Sequence, residues 1–116
     1  MLFVEYPPCS TCKKAKAWLD DRGIVYTDRN IKTDNPSLNE LRTWYGESGL
    51  ELKRFFNTSG LLYKSLLLKD RLPAMTDEEK LSLLSSDGML VKRPILIGDD
   101  FVLVGFREKE WIEKLL

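Results

Sequence analysis

The stretch that decides the fold is LFVEYPPCSTC, residues 2–12. Its start, Leu2 to Tyr6, is largely apolar and predicts a short buried strand that ends at Pro7-Pro8. Ser10 to Arg22 carries apolar side chains at helical spacing and predicts a helix, and Ile24 to Asn30 predicts a second strand. The order strand, helix, strand predicts a βαβ unit with a right-handed crossover.

The middle of the chain predicts helices. Asn35-Pro36-Ser37 is a helix-start signal in which the proline falls in the first turn and Glu40 follows three residues after the serine. Leu61 to Lys69 predicts a short helix, and Thr76 to Glu79 is a capping box that opens another. We therefore interpret residues 32–90 as a helical insert.

The C-terminal part returns to strands. Residues 95–97 and 101–104 flank a tight turn and predict an antiparallel hairpin. Residues 107–116 predict a last helix whose apolar side carries Trp111, Ile112, Leu115 and Leu116. The whole order is βαβ, insert, ββα, which predicts an α/β fold with a four-stranded mixed sheet. We expect one domain over residues 1–116, with its core in 1–31 and 91–116.

Composition excludes several classes of protein. The 116 residues carry 18 basic and 18 acidic side chains, so the net charge is zero, which argues against direct nucleic-acid binding. There is no histidine, which removes Ser-His-Asp and Cys-His catalysis, and two cysteines alone do not make a zinc site. We expect no metal. No targeting or membrane segment is visible, so we expect a cytoplasmic protein without a membrane partner.

Cys9 and Cys12 form the sharpest chemical motif. The predicted strand-to-helix junction places Cys9 at a helix N-terminus, where free N–H groups and the helix dipole favour a thiolate. Ser10 and Thr11 stand in the same first turn and Lys13 adds positive charge, so we expect all three to support the thiolate. Cys12, one turn on, is placed to resolve a mixed disulfide on Cys9. The plain alternative is two unrelated small core residues.

Two arginines and one asparagine are further candidates. Arg93 precedes Pro94 at the start of the predicted third strand, and an arginine there could hold an anion or a thiolate with paired hydrogen bonds. Arg107 opens the last helix, where the helix dipole disfavours a cation, so it hints at an anion nearby. Asn57 lies in a polar turn, and most such turns have no other role. Either arginine could also be a solvated surface residue.

The sequence resembles the ArsC/Spx family, which comprises thioredoxin-fold proteins with a helical insert. The family includes glutaredoxin-coupled arsenate reductases and Spx-type redox regulators. The matching segments follow the family's order over nearly the whole chain, and they are residues 6–12, 56–64, 92–97 and 104–107.

The resemblance implies roles for individual residues. Cys9 matches the cysteine that attacks arsenate, and Pro94 matches a cis proline that faces it. Arg93 and Arg107 match two of three arginines that bind the oxyanion. Asn57 stands at the third position, a departure that counts against arsenate reduction, and nearby Arg54 could substitute only if its loop were displaced.

Two functions follow as hypotheses. The first is a thiol–disulfide oxidoreductase with Cys9 as nucleophile and Cys12 as resolving thiol. It needs no cofactor beyond an external thiol donor such as glutathione with glutaredoxin, or thioredoxin. The alternative is a Spx-like redox-switched transcriptional regulator that binds the α subunit of RNA polymerase. A family member that has kept the fold and lost catalysis is a third option.

Overall fold

Four short strands form one mixed sheet in the computed structural model, which describes residues 1–116. The strands are β1 (Leu2–Glu5), β2 (Thr27–Asn30), β3 (Ile95–Ile97) and β4 (Val102–Val104), in the spatial order β2-β1-β3-β4. β1 pairs in parallel with β2 and antiparallel with β3, and β3 pairs antiparallel with β4. The predicted α/β fold with a mixed four-stranded sheet is confirmed.

Six α-helices surround this sheet. They are α1 (Ser10–Asp21), α2 (Leu38–Ser48), α3 (Leu61–Ser65), α4 (Leu68–Arg71), α5 (Asp77–Ser86) and α6 (Glu108–Leu115). Helix α1 makes the crossover between the two parallel strands, and α2 to α5 lie between β2 and β3 in the chain. No helix is both long enough and apolar enough to cross a lipid bilayer.

Both faces of the sheet are buried. Successive strand residues point to opposite faces, and each face packs against its own apolar cluster. Phe3 and Leu96 pack in one apolar cluster with side chains of α1 and with Trp111 of α6. Val4 and Ile95, their neighbours in sequence, pack on the other face in the cluster that contains the insert. The side chain of β1 that follows on the α1 face is Glu5.

The second strand is shorter than predicted. The second strand begins at Thr27, whose N–H donates to the Met1 carbonyl at 2.8 Å. The N–H of Ile24 instead donates to the Leu19 carbonyl at the end of α1, and Val25 is exposed, so this part of the segment closes the helix.

The predicted helix over residues 61–69 is two helices. Leu67, with φ of 56°, adopts the left-handed conformation between α3 and α4 and breaks the hydrogen-bonding pattern. Pro36 also lies outside α2, because Ser37 is the N-cap residue: it accepts from the N–H of Glu40, and the Glu40 carboxylate accepts from the N–H of Ser37.

The last helix buries less than predicted. Trp111 is fully buried, whereas Ile112 and Leu116 are exposed. Trp111 and Leu115, four positions apart, are the α6 side chains that pack in the cluster with Phe3, so the other two apolar side chains face away from it.

Candidate active site

Cys9 is held at the start of α1 as its N-cap residue. Its N–H donates to the Tyr6 carbonyl at 2.9 Å, which closes the turn between β1 and α1. Its side chain caps no helical N–H, and the first turn contains no acidic residue. The half-buried thiol therefore stands beside free N–H donors with no competing negative charge in that turn.

The pKa of Cys9 is lowered from its ordinary value of 9.0. Burial by itself raises this pKa. The backbone and thiol of Cys12, the Arg93 side chain and the backbone of Thr11 outweigh burial, since each can donate to the thiolate and so stabilise it. The geometry thus favours a nucleophilic sulfur at this position.

Cys12 has the opposite character. It is fully buried on α1, and its Sγ accepts a hydrogen bond from the Tyr6 N–H at 3.5 Å. Burial raises its pKa to about 12, with further contributions from the negative charges of Cys9 and Glu5. Both cysteines are free thiols. Of the pair, Cys9 loses its proton first and Cys12 keeps its own.

Arg93 lies close to the pair at the start of β3, and its peptide bond with Pro94 is cis. Its guanidinium group stacks 5.1 Å from the centre of the Tyr6 ring. The Nη1 atom is buried and has no hydrogen-bond partner within the protein. This unused donor is available to an anion bound beside Cys9.

A cavity of about 460 Å³ opens on the Thr11 side of the motif. Four cations and one carboxylate line it, namely Lys53, Arg54, Lys92, Arg107 and Glu51. Of the four cations, Arg107 alone has an acidic partner, Glu110 at 3.5 Å. The cavity is therefore a positively charged cleft beside Thr11, which lies between the two cysteines in the sequence.

The structure separates the other candidate residues. Arg54 shares the cationic cavity with Arg107, a position that the sequence allowed only with a displaced loop. Asn57 instead lines a second cavity, of about 520 Å³, together with Arg93. Ser10 and Lys13 are exposed on α1. No group of three or more Cys, Asp or Glu side chains lies close enough to hold a metal ion.

Sequence reasoning missed Glu5, the one buried charged residue of the protein, which is 1% exposed. Lys16 Nζ lies 3.4 Å from its carboxylate and 2.5 Å from that of Asp28. The only signal in the sequence is an acidic residue inside an otherwise apolar predicted strand. We refer below to Glu5, Lys16 and Asp28 as the acid cluster.

Comparison with known proteins identifies the family. The family model of ArsC matches residues 4–114. The chain belongs to the ArsC family. The family prediction made from the motifs is therefore confirmed.

Other ArsC-like proteins cover nearly the whole chain. The uncharacterized protein YusI of Bacillus subtilis is 47% identical over 97% of this chain and 96% of its own length. The global transcriptional regulator Spx of Staphylococcus epidermidis is 30% identical over 90% of this chain and 78% of its own length.

Solved structures match the ArsC fold closely. An ArsC family related protein from Bacteroides fragilis superposes with a TM-score of 0.95 and 54% identity, covering 97% of this chain and 94% of the other. A possible arsenate reductase from Streptococcus mutans UA159 superposes with a TM-score of 0.87 and 46% identity, covering 96% of each chain. The thioredoxin-like architecture expected from the sequence agrees with these neighbours.

Proposed function

We propose that this ArsC family protein is a thiol–disulfide oxidoreductase in which Cys9 is the nucleophile and Cys12 the resolving thiol. The observation that carries the proposal is the contrast between the two sulfurs. Cys9 is half-buried at a helix start with a lowered pKa, and Cys12 is buried beside it with a raised pKa. One thiol is ready to attack, and the other retains its proton until a mixed disulfide forms.

The reaction proceeds by two exchanges. The Cys9 thiolate attacks a sulfur of an oxidised substrate, forms a mixed disulfide and releases the first leaving thiolate. Cys12 then attacks Cys9 Sγ, the second thiolate leaves, and a Cys9–Cys12 disulfide remains. An external thiol, such as glutathione with glutaredoxin or reduced thioredoxin, returns the pair to two thiols.

The positive surroundings favour an anionic substrate or thiol donor. Arg93 offers an unpartnered buried donor near Cys9, and Arg54 and Arg107 line the cationic cavity. These groups suit carboxylates, such as those of glutathione, and also oxyanions such as arsenate. For arsenate, Asn57 supplies no charge, so we expect an Asn57→Arg variant to raise any arsenate-reducing activity.

Trapping the mixed disulfide tests the proposal. A Cys12→Ser variant, treated with oxidised glutathione, should accumulate one glutathione on Cys9, detected by mass spectrometry of the intact protein. The wild type should instead pass to an internal disulfide, and Cys9→Ser should form no adduct. Absence of an adduct on the Cys12→Ser variant would reject Cys9 as the nucleophile.

The Spx relative favours a second function, a redox-switched regulator that binds RNA polymerase. The chain aligns with 78% of a protein known as a global transcriptional regulator, and it contains two neighbouring thiols. The C-terminal domain of the polymerase α subunit, immobilised and offered the oxidised and reduced protein, tests this proposal. Retention that changes with redox state would support it, and no retention in either state would reject it.

A further inference from the structure

Glu5 occupies an unusual place for an acidic side chain. It lies on the face of β1 that α1 covers, the same face as Phe3, and is almost fully removed from solvent. Within the fold it is reached by Lys16 of α1, and Lys16 in turn contacts Asp28 at the exposed edge strand β2. A buried carboxyl group costs free energy unless it is partnered, and here its lysine contact is long at 3.4 Å.

The same space between β1 and α1 holds the thiol of Cys12. Cys12 and Lys16 are four positions apart on α1 and so lie on one face of the helix. Tyr6, the residue next to Glu5, donates its N–H to Cys12 Sγ. A negative charge on Glu5 also contributes to the raised pKa of the Cys12 thiol, so the two groups lie within electrostatic reach of each other. Glu5 and Cys12 are thus neighbours beneath the start of α1.

We propose that Glu5 accepts the proton of the Cys12 thiol when Cys12 attacks the mixed disulfide on Cys9. This inference rests on the proposed function and adds a proton acceptor to its second step. The acid cluster then connects that acceptor to solvent, because Glu5 is buried whereas Lys16 and Asp28 are partly exposed.

The step balances in atoms and charge. The S–H bond of Cys12 breaks and its proton moves to the Glu5 carboxylate. The Cys12 sulfur forms a bond to Cys9 Sγ, and the bond between Cys9 and the substrate sulfur breaks. The substrate sulfur leaves as a thiolate and is reduced, while the two cysteines are oxidised to the disulfide. Glu5 then returns its proton to solvent through the acid cluster.

The surroundings of Glu5 place its titration near neutrality. Its pKa is raised to about 7, first by burial and then by a hydrogen bond to Asp28 and the charge of Asp28, against an opposing effect of Lys16. The ionisable groups that face it are Lys16 and Cys12 from α1 and Asp28 from β2. Farther out, Tyr26 donates to Asp20 at 2.7 Å. A carboxyl group that titrates near pH 7 can take and return a proton under neutral conditions.

Dithiobis(nitrobenzoate) separates the two steps. Attack by Cys9 releases one coloured nitrothiobenzoate, and attack by Cys12 on the resulting mixed disulfide releases a second. Stopped-flow absorbance of the reduced full-length protein gives both rates as a function of pH. The first release reports the proposed function, and the second reports this inference, so their failures are distinguishable.

Four proteins give a sharp test of the second release. In the wild type its rate should rise with pH through about 7. Glu5→Gln should lose this rise and slow the release at pH 7 by about 100-fold, the lower end of what a positioned general base contributes. Asp28→Asn removes a group that raises the pKa of Glu5 and should move the rise to lower pH. Lys16→Met removes a group that lowers it and should move the rise to higher pH.

Opposite results would overturn the inference. If Glu5 acted only as a repelling charge, Glu5→Gln would lower the pKa of Cys12 and speed the second release. If Glu5 were only structural, the wild-type rise would stay in place in Asp28→Asn and Lys16→Met. Asp28→Asn and Lys16→Met change partly exposed side chains, so they test the inference even if Glu5→Gln fails to fold. The first release should stay unchanged in all four proteins.

Discussion

At the scale of single residues, Arg93 has the most direct effect on the reactive sulfur. It is the charged side chain that lowers the pKa of Cys9 by stabilising its thiolate. Replacing it with methionine should raise the pKa of Cys9, because the thiolate loses an adjacent opposite charge. The pH dependence of iodoacetamide alkylation measures this change. Lys13→Met, which removes an exposed charge from α1, the helix that Cys9 caps, should shift the pKa of Cys9 less. Equal shifts in the two variants would show that Arg93 has no particular effect on Cys9.

Gly88 is required by a close approach of two backbone segments. A Cβ atom at this position would lie 1.8 Å from the Ile31 carbonyl oxygen. Gly88→Ala should therefore lower the free energy of unfolding by about 3 kcal/mol, measured by urea denaturation. A Cβ atom at Gly46, inside α2, would meet no other atom within 4 Å, so Gly46→Ala should raise stability by about 0.5–1 kcal/mol. Similar changes in the free energy of unfolding at both sites would contradict the close backbone approach at Gly88.

Some site residues can be identified from the sequence and others cannot. Cys9 and Cys12 can be recognised because the order strand, Pro-Pro, Cys, helix places them at a helix start without knowledge of the tertiary structure. Glu5 cannot, because alternation along β1 does not say that both faces of the strand are covered. The position of Arg54 is equally hidden, since the path of its loop past Thr11 depends on packing far away in the chain.

At the scale of elements, one ion pair ties the start of α2 to β2. Both Arg29 Nη atoms donate to the Glu40 carboxylate, at 2.6 and 2.9 Å. The hydrogen bond from Arg29 is the main reason that the pKa of Glu40 falls to about 2. An acid with a lowered pKa adds stability above its unfolded value of 4.5, and this stability is lost as pH falls from there towards 2.

Glu40→Gln should therefore flatten the acid side of the stability curve. We expect a loss of about 1 kcal/mol at pH 7, discounted because Glu40 is one-third exposed, and little difference from the wild type near pH 2. Thermal unfolding across this pH range measures it. Glu78→Gln breaks the more exposed pair with Arg42 and should cost less than about 0.5 kcal/mol. A loss of stability in Glu40→Gln that does not change with pH would show that the ion pair with Arg29 is not its cause.

Elements with local signals are predicted better than those set by packing. The capping boxes that open α2 and α5 are recognisable at their serine and threonine because the signal lies within four residues. The break at Leu67 is not, because the leucines on both sides of it favour a helix. That break follows from tertiary packing, which buries Leu68 and leaves Leu67 exposed. Local sequence alone does not show where tertiary packing will override the helix preference of a segment.

At the scale of the whole molecule, zero net charge conceals an uneven distribution. Four cations and one carboxylate surround the cavity beside Thr11. The order of the elements predicted the topology, because a βαβ unit and a hairpin admit few arrangements of four strands. The cationic cavity was not predictable, since it brings together residues from the turns before α3, before β3 and after β4.

The cavity should select anionic reactants. Arg54→Met should slow the reaction of Cys9 with dianionic dithiobis(nitrobenzoate) by about threefold at low salt, and added salt should reduce the difference. The rate with neutral hydroxyethyl disulfide should not change. Lys69→Met, which removes an exposed charge on α4, serves as the control. Equal slowing with both disulfides would show that the variant perturbs the thiol rather than the reactant.

In the proposed mechanism, Cys9 is the reactive thiolate and Cys12 its protonated partner. The measurement that tests it most directly is alkylation of the reduced wild type with iodoacetamide over a range of pH, with each site located by tandem mass spectrometry. We predict that Cys9 is modified with a midpoint below 9.0 and that Cys12 stays unmodified until far higher pH. A midpoint for Cys9 at or above 9.0, or modification of Cys12 before Cys9, would contradict the account.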